Sequence, residues 1–240
     1  MTSHRLPDAV LRPLSDTLAF ASTVERLGAA IRLGVFARGD QLPPERELAV
    51  KLGVSRVNLR EAIAELREAD MVQTRRGRGG GTTVVYAGSA AGSMDRAELR
   101  RRSPQLVDAL NYRRVVEPGA AYLAASSELT ADQREGLADS EAAVRVAGPG
   151  PAHRVADARL HLAVAALSGS PMLIEAVTRA QSTLDGLLSL VPALRGTIEQ
   201  ANRSHQAVVA AILAGDPLAA RAEMEQHCDA TAALLRTLLE

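Results

Sequence analysis

The sequence predicts a mainly α-helical protein in two parts: an N-terminal domain of three helices and a β-hairpin, and a C-terminal antiparallel bundle of six or seven helices. Only 2% of the 240 residues are aromatic, none is tryptophan and 47% are hydrophobic, which favours a core of Ala, Leu and Val packed between helices. Apolar residues recur every three or four positions over most of the chain. Clusters of glycine and proline separate these periodic segments and mark where helices end.

Breaks in this periodicity divide the chain into four predicted segments. Residues 1–15 form an arm without a helical period, 16–86 the first domain, 87–103 a linker rich in Ala, Gly and Ser, and 104–238 the helical bundle. Glycine, serine or proline interrupts the bundle pattern five times. The predicted bundle helices therefore cover 104–126, 130–147, 151–168, 171–191, 196–214 and 217–238.

The first domain has the pattern of two short helices joined by a tight turn. Amphipathic helices are predicted at 16–36, 45–52 and 55–69. Gly53 closes the second of them, and Ser55 is a good N-cap for the third. Two short strands around a glycine-rich basic tip are predicted at 71–76 and 82–86. Helix, turn, helix and hairpin in this order predict a winged helix-turn-helix.

Composition indicates the cellular compartment and leaves the partner open. The single Cys228 cannot form an internal disulfide, no apolar stretch is long enough for a membrane span, and no secretory pattern opens the chain. We therefore expect a cytoplasmic, nucleoid-associated protein without a membrane partner. The net charge is zero and arginine outnumbers lysine 27 to 1, so the abundance of arginine is not itself evidence for nucleic acid.

The positions of the arginines in the first domain predict DNA binding. A recognition helix meets the major groove with its first turns, where Arg56 and Arg60 can each bond guanine O6 and N7. Arg78 at the hairpin tip can enter the minor groove because neighbouring glycines such as Gly79 let the backbone approach. The alternative is a solvated basic face. The residues predicted to contact DNA are Arg46, Ser55, Arg56, Asn58, Arg60, Arg78 and Gly79.

Two strings in this domain, LPPERELAVKLGVSRVNLREAIAELREADMV and RRGRGGGTTV, resemble the winged head of the GntR family of bacterial regulators. The resemblance covers residues 20–86. It implies that the three arginines of the helix-turn-helix contact the operator and that Ser55 and Asn58 contact phosphate or bases. Val57 stands where relatives often have Thr or Pro, so a hydroxyl contact made by some members is absent.

Three histidines and one aspartate of the bundle have the spacing of a metal site. Asp157 and His161 are four residues apart, so a helix places both on one face. If the helices of His205 and His227 form a hairpin about Gly215-Asp216, both histidines lie at nearly equal height above the turn. Three imidazoles and a carboxylate suit Zn, Ni, Mn or a similar divalent transition metal. Alternatively, each histidine is a hydrogen-bonded core or surface residue.

The bundle motifs DxxxH, SHQAVVAAILAGDP and MEQHCD resemble the FCD domain of the FadR branch of GntR regulators, over residues 104–238. The resemblance implies that the four residues hold a divalent metal, and six helices are similar to the shorter VanR-type variant. Arg113 occupies a place where relatives often carry an arginine near the ligand pocket, and a guanidinium opposite a metal would clamp a carboxylate. The alternative is an Arg113–Glu117 pair on a surface helix. Cys228 is expected to be a small buried side chain.

Together these features predict a ligand-responsive transcriptional repressor and not an enzyme. We expect a homodimer on a double-stranded DNA operator, controlled by a small carboxylate metabolite bound at the metal and Arg113. A metal-dependent hydrolase-like enzyme fused to a DNA-binding domain is one alternative, although no conspicuous general base stands beside a metal-binding histidine. A constitutive DNA-binding protein without an effector is the other, and effector-dependent release from DNA would eliminate it.

Overall fold

The computed structural model describes residues 17–75, 80–87, 101–188 and 195–237. The chain forms two compact units, Met1–Ile31 with Phe36–Tyr86 and Arg32–Val35 with Ala87–Glu240. The predicted arm at 1–15, most of the predicted linker and the predicted DNA contacts of Arg78 and Gly79 lie outside the described residues.

The described part of the first unit contains three helices and one antiparallel hairpin. In chain order these are α1 (Thr17–Arg32), α2 (Glu45–Leu52), α3 (Arg56–Glu68), β1 (Val72–Arg75) and β2 (Gly81–Val84). The two strands pair in register from Val72 opposite Val84 to Arg75 opposite Gly81. The order of elements is the predicted one.

The turn between α2 and α3 is built from two local features of the sequence. Gly53 adopts a left-handed conformation with a φ of 67° and thereby ends α2. Glycine adopts this conformation without the steric strain that a Cβ atom would cause. Ser55 then begins α3, because its Oγ accepts a hydrogen bond from the Asn58 backbone N–H at 3.1 Å. Leu48 and Leu59 pack one helix onto the other in a shared apolar core. The two helices are thereby held in a fixed relation to one another.

The predicted end of the first helix is wrong. The apolar pattern continues to Phe36, whereas α1 ends at Arg32. Gly34 has a φ of 71°, and a left-handed glycine two residues after the last helical residue stops the helix. The apolar pattern alone did not reveal this turn because Val35 continues the spacing of Ile31, although Val35 lies outside the helix and is exposed.

The described part of the second unit consists of six helices. They are α4 (Ser103–Ser126), α5 (Ala131–Val146), α6 (Pro151–Leu167), α7 (Pro171–Leu188), α8 (Arg195–Ala214) and α9 (Pro217–Thr237). Helix α4 is central and packs against α6, α7, α8 and α9. Small and aliphatic side chains fill the main core, among them Ala121, Leu160, Ile212 and Met224. The low aromatic content of the sequence agrees with this close packing of helices.

Helices α8 and α9 form the predicted hairpin. Gly215 has a φ of 69° and donates its N–H to Ile212 O, while Asp216 N–H bonds Ala211 O, a pattern that closes a helix at a left-handed glycine. The two helices pack against each other along their length. Residues at similar distances from the turn therefore face each other.

The predicted fold class is confirmed: the protein is mainly helical, with a helix-turn-helix, a hairpin and a helical C-terminal unit. Predicted and observed helix ends in the bundle agree within one residue wherever the structure describes both. Among the described residues, no helix is both long enough and apolar enough to cross a membrane.

Candidate functional site

Three histidines from three helices meet inside the second unit. His161 lies on α6, His205 on α8 and His227 on α9, and all three are buried. One ring nitrogen of each lies within 4.8 Å of the other two, and the ring centroids are 4.4–5.3 Å apart. The hairpin between α8 and α9 brings together two of these rings that are 22 positions apart in the sequence.

Asp157 completes the predicted set of four. It lies one turn before His161 on α6, and its carboxylate oxygens are 3.4 Å from His205 Nε2 and 3.9 Å from His161 Nε2. Its side chain is 24% exposed, so the carboxylate forms the open edge of an otherwise buried cluster. All four residues predicted as metal ligands are therefore brought together, and metal binding by them stays a prediction.

Arg113 contacts the same cluster from α4. Its Nη2 lies 3.0 Å from His161 Nε2 and 2.8 Å from His227 Nε2. A guanidinium can only donate, so both ring nitrogens accept and direct their lone pairs toward it. Those are the lone pairs that a metal ion would need. The guanidinium and a metal ion thus compete for the same two nitrogens.

The alternative of a surface pair between Arg113 and Glu117 is wrong in its location. The pair exists, since Arg113 Nε donates to Glu117 Oε2 at 2.9 Å, but both side chains are buried. Tertiary packing of α4 against the other helices encloses this face. The sequence spacing of an i, i+4 pair of opposite charges is the same whether the pair lies in solvent or in a core, so it does not predict burial.

Glu117 contacts the cluster but was not among the site residues that the sequence predicted. Its Oε2 lies 3.0 Å from His161 Nδ1, and its Oε1 accepts a hydrogen bond from Gln181 Nε2 at 2.6 Å. A carboxylate on Nδ1 fixes the imidazole so that Nε2 presents its lone pair to the centre of the cluster. The only signal in the sequence was its spacing from Arg113. Gln181 gave no signal.

Burial and charge set the protonation of the cluster. Burial lowers the pKa of His205 to about 4, and burial together with the Arg113 charge holds the pKa of His227 well below its usual range. Burial alone would raise the pKa of Glu117, but Arg113 and His161 outweigh it and lower the pKa to about 2. Neutral imidazoles beside ionised carboxylates are the protonation states that a cation requires of its ligands.

Cys228 is buried beside this cluster and takes no part in the predicted ligand set. Burial raises the pKa of its thiol to about 12, so the thiol stays protonated at neutral pH. Its Sγ lies 3.7 Å from Glu117 Oε2. A protonated, enclosed thiol is neither a metal ligand nor a reactive nucleophile, which agrees with the expected small buried side chain.

The residues present fit a divalent metal ion. His205 is buried, and although Asp157 Oδ1 lies 3.4 Å from its Nε2, neither ring nitrogen forms a well-aligned hydrogen bond among the described residues. That state is unusual for a core histidine and ordinary for a ligand. Bonds of about 2.1 Å to a first-row metal place donors no more than about 4.2 Å apart. The three nitrogens lie within 4.8 Å of one another, so they need to move only slightly closer together to bind a metal ion. Arg113 would have to move away from the ring nitrogens.

A cavity of about 220 Å³ adjoins the cluster. Arg113, Asp157, His227, His153 and Asp185 are among the polar residues that line it. Several leucines add apolar lining. The volume is below the roughly 300–1,000 Å³ typical of pockets for drug-sized ligands, so the cavity suits a small metabolite.

The predicted DNA-contacting residues that the structure describes lie on α2 and α3 of the first unit. Arg46 and Arg56 are exposed, and Asn58 is half-buried in the first turn of α3. Arg60 is 61% exposed, but its Nε bonds Glu45 Oε2 at 2.7 Å. The arginines therefore differ in availability, because Arg60 must release this carboxylate before it contacts a base. The sequence reasoning did not anticipate the bond to Glu45.

Comparison with known proteins defines the class. The model of the gntR family of bacterial regulatory proteins matches residues 21–84, and the model of the FCD domain matches residues 108–230. The chain belongs to the GntR family and is of the type that carries an FCD domain. It is a transcriptional regulator with a helix-turn-helix DNA-binding unit and an effector-binding domain, and not an enzyme.

Two relatives are similar in sequence to most of this chain. It is 32% identical over 228 residues to an Escherichia coli K12 protein named as a regulatory protein of the L-lactate dehydrogenase operon, covering 90% of this chain and 84% of that one. It is 32% identical over 177 residues to the HTH-type transcriptional regulator RmpR of Mycobacterium gastri, covering 72% of this chain and 63% of that one. The solved structure of E. coli McbR/YncC is 19% identical with a TM-score of 0.52, covering 95% of this chain and all of that chain; it shows similarity of fold alone.

Proposed function

We propose that this regulator is a repressor whose FCD domain binds a divalent transition metal and a small carboxylate effector. The observation that carries the proposal is the position of Arg113, whose guanidinium contacts two of the histidine nitrogens and also lines the adjoining cavity. One positive group thus belongs to both the metal cluster and the ligand pocket. An anionic ligand entering this pocket meets it directly.

The metal would be held by Asp157, His161, His205 and His227, with Glu117 orienting His161. Zn, Ni or Mn each accept this set of three nitrogens and one oxygen. The bound ion supplies a positive centre that accepts an oxygen ligand in a remaining coordination position. The chain itself supplies neutral imidazoles at His205 and His227, which are buried, and a partly open edge at Asp157.

The effector would be a carboxylate clamped by Arg113. A guanidinium fork binds the two oxygens of a carboxylate with matched geometry, and such charge-assisted bonds are stronger than neutral ones. Release of Arg113 from the histidine nitrogens frees Nη2 for this role. One relative is named for the L-lactate dehydrogenase operon, which makes L-lactate a reasonable first acid to test.

The DNA partner would be a double-stranded operator read by α3. Arg56 and Asn58 project from its first turns, Arg46 lies on α2, and Ser55 caps the helix. Bases are read in the major groove by such donors, while further arginines and hydroxyls contact phosphates. The contacts of Arg60, Arg78 and Gly79 complete the proposed interface.

The active form would be a homodimer. On α4, Tyr112, Val115 and Tyr122 recur at spacings of three and seven and are exposed, Val115 to 74%. An exposed apolar stripe on a helix marks an interaction surface, and a two-fold dimer buries such a stripe against its own copy. Two copies of α3 would then read two half-sites of one operator.

The test is to measure DNA binding as a function of metal and acid. Operator sequences selected from a random DNA pool give the probe, and fluorescence anisotropy gives its affinity for metal-free and metal-loaded protein. We expect L-lactate or another small carboxylate to weaken operator binding at least tenfold in the metal-loaded form, about 1.4 kcal/mol of coupling. If neither the metal nor any of the acids changes the affinity for DNA, the protein is a constitutive DNA-binding protein.

A further inference from the structure

We propose that His153 is the specificity-determining residue of the effector cavity and that the effector is a bifunctional acid. One carboxylate contacts Arg113 and the metal cluster, and a second carboxylate accepts a hydrogen bond from His153, which lines the same cavity. This inference rests on the proposed carboxylate effector and names its chemical class more narrowly.

The first observation is the state of the His153 side chain. It is 8% exposed and lines the cavity, and its Nε2 is buried with no hydrogen-bond partner among the described residues. Buried polar groups in proteins nearly always form hydrogen bonds, so we expect this buried imidazole nitrogen to have a hydrogen-bond partner that the described part of the chain does not provide. A ligand in the cavity that His153 lines supplies that partner.

The second observation is the register of α6. His153, Asp157 and His161 follow one another at intervals of four residues and therefore lie on one face of the helix. The helical rise places His153 about 6 Å along the axis from Asp157 and about 12 Å from His161. An acid that reaches from the metal cluster past Asp157 to His153 has a chain of about four to six carbons.

The third observation is the charge of two other residues that line the cavity, Arg154 and Asp185. Arg154 Nε lies 3.4 Å from Asp185 Oδ1, and both side chains are largely buried, so each charge has an opposite partner. Leu184 and Leu188 add apolar wall. Because Arg154 is paired with Asp185 whereas His153 Nε2 has no partner among the described residues, the imidazole is the group that recognises a second polar function. A plain monocarboxylate would leave it unpaired.

The experiment compares acids of equal chain length on metal-loaded, full-length protein. The probes are succinate against butyrate and glutarate against valerate, with affinities measured by isothermal titration calorimetry. In the wild-type protein we expect at least one dicarboxylate to bind at least tenfold more tightly than its matched monocarboxylate. His153→Leu should reduce that ratio to below threefold, mostly through weaker dicarboxylate binding, and leave the monocarboxylate affinity and metal content unchanged.

His153→Gln serves as the second variant, because an amide keeps hydrogen-bonding groups near the cavity and should retain part of the preference. Circular dichroism checks the folding of both variants. A dicarboxylate preference that persists in His153→Leu, or equal binding of the paired acids to wild type, overturns the inference alone. Loss of metal from His153→Leu also overturns it and assigns the imidazole to the metal. Failure of every acid to bind wild type overturns the carboxylate effector itself, and this inference with it.

Discussion

The two candidate sites of this protein are built in opposite ways. The described side chains that are proposed to contact DNA come from α2, α3 and the turn between them and are mostly exposed. Arg60 is paired with Glu45. The histidine cluster draws on four helices, is buried, and each of its members contacts at least one other. A change in the first should act locally, whereas a change in the second should alter stability, metal affinity and ligand affinity together.

The largest effect should come from removing the carboxylate that neutralises the buried arginine. Glu117→Ala leaves the Arg113 guanidinium in the interior without its counter-charge, and breaking a buried pair in this way costs about 3–5 kcal/mol. Urea denaturation of the metal-free protein measures the loss. Glu225→Ala is the control, since this glutamate pairs with Arg114 and Arg221 at the surface and its removal should change stability little. Similar losses in the two variants would contradict the burial of charge at Glu117.

A somewhat smaller effect is expected from acid. Burial depresses the pKa of His205 to about 4, whereas the unfolded chain has a histidine pKa near 6.5. The stability due to this neutral imidazole is complete above pH 6.5 and is lost as the pH falls toward 4, because the unfolded state takes up the proton first. The metal-free protein should lose about 2–3 kcal/mol between pH 7 and 4.5 from His205 alone.

The measurement is the free energy of unfolding against pH for wild type and His205→Gln. The variant should show a shallower decline below pH 6.5, because its side chain does not titrate. The same slope in both proteins would mean that His205 titrates normally in the folded state. The DNA-contacting face, which has no histidine among its predicted contacts, should contribute nothing to this slope.

At the DNA-contacting face, the arginines allow a graded comparison. Arg56→Ala should weaken specific operator binding by about 1–3 kcal/mol, the range for one arginine on guanine. Arg60→Ala should cost less, since Arg60 first has to release Glu45. Fluorescence anisotropy at fixed salt gives both values, and Arg67→Ala, in the last turn of α3, is the control on the same helix. Equal losses at positions 56 and 67 would remove Arg56 from the proposed interface.

The same contrast explains what the sequence could predict. The helix-turn-helix depends on Gly53 and Ser55, which act on their own neighbours, and both signals are visible in the sequence. The approach of His205 and His227 was also predictable, because a hairpin at Gly215 follows from local signals and helix geometry. The contacts of Glu117 and Gln181 and the unpaired nitrogen of His153 were not predictable, since burial and the absence of a partner arise only when separate helices pack. The early end of α1 was missed because Val35 continues the apolar spacing of Ile31 although it lies three residues beyond the helix and is exposed.

The smallest predicted effect tests how the two functions of Arg113 are coupled. In Arg113→Met, a positive charge no longer lies 2.8–3.0 Å from the two metal-facing nitrogens, and Glu117 loses its cation. Both changes favour a bound metal ion, so metal affinity should rise about tenfold, or about 1.4 kcal/mol. Affinity for a carboxylate should fall, because the guanidinium fork is gone. Arg114→Met is the matched control, since Arg114 pairs with Asp229 at the surface and should change neither affinity.

Competition titrations with a chromophoric chelator give the metal affinity, and calorimetry with glutarate gives the acid affinity. Opposite changes in the two affinities would establish that Arg113 exchanges between the histidine nitrogens and the effector. A parallel loss of both would instead make Arg113 a support for the ligand cluster, acting through its bond to Glu117. In the first case metal binding prepares the pocket by releasing the arginine, so that metal and acid bind with positive cooperativity. The face proposed to contact DNA has a simpler exchange, in which the exposed Arg60 leaves one carboxylate, Glu45, on the neighbouring helix α2.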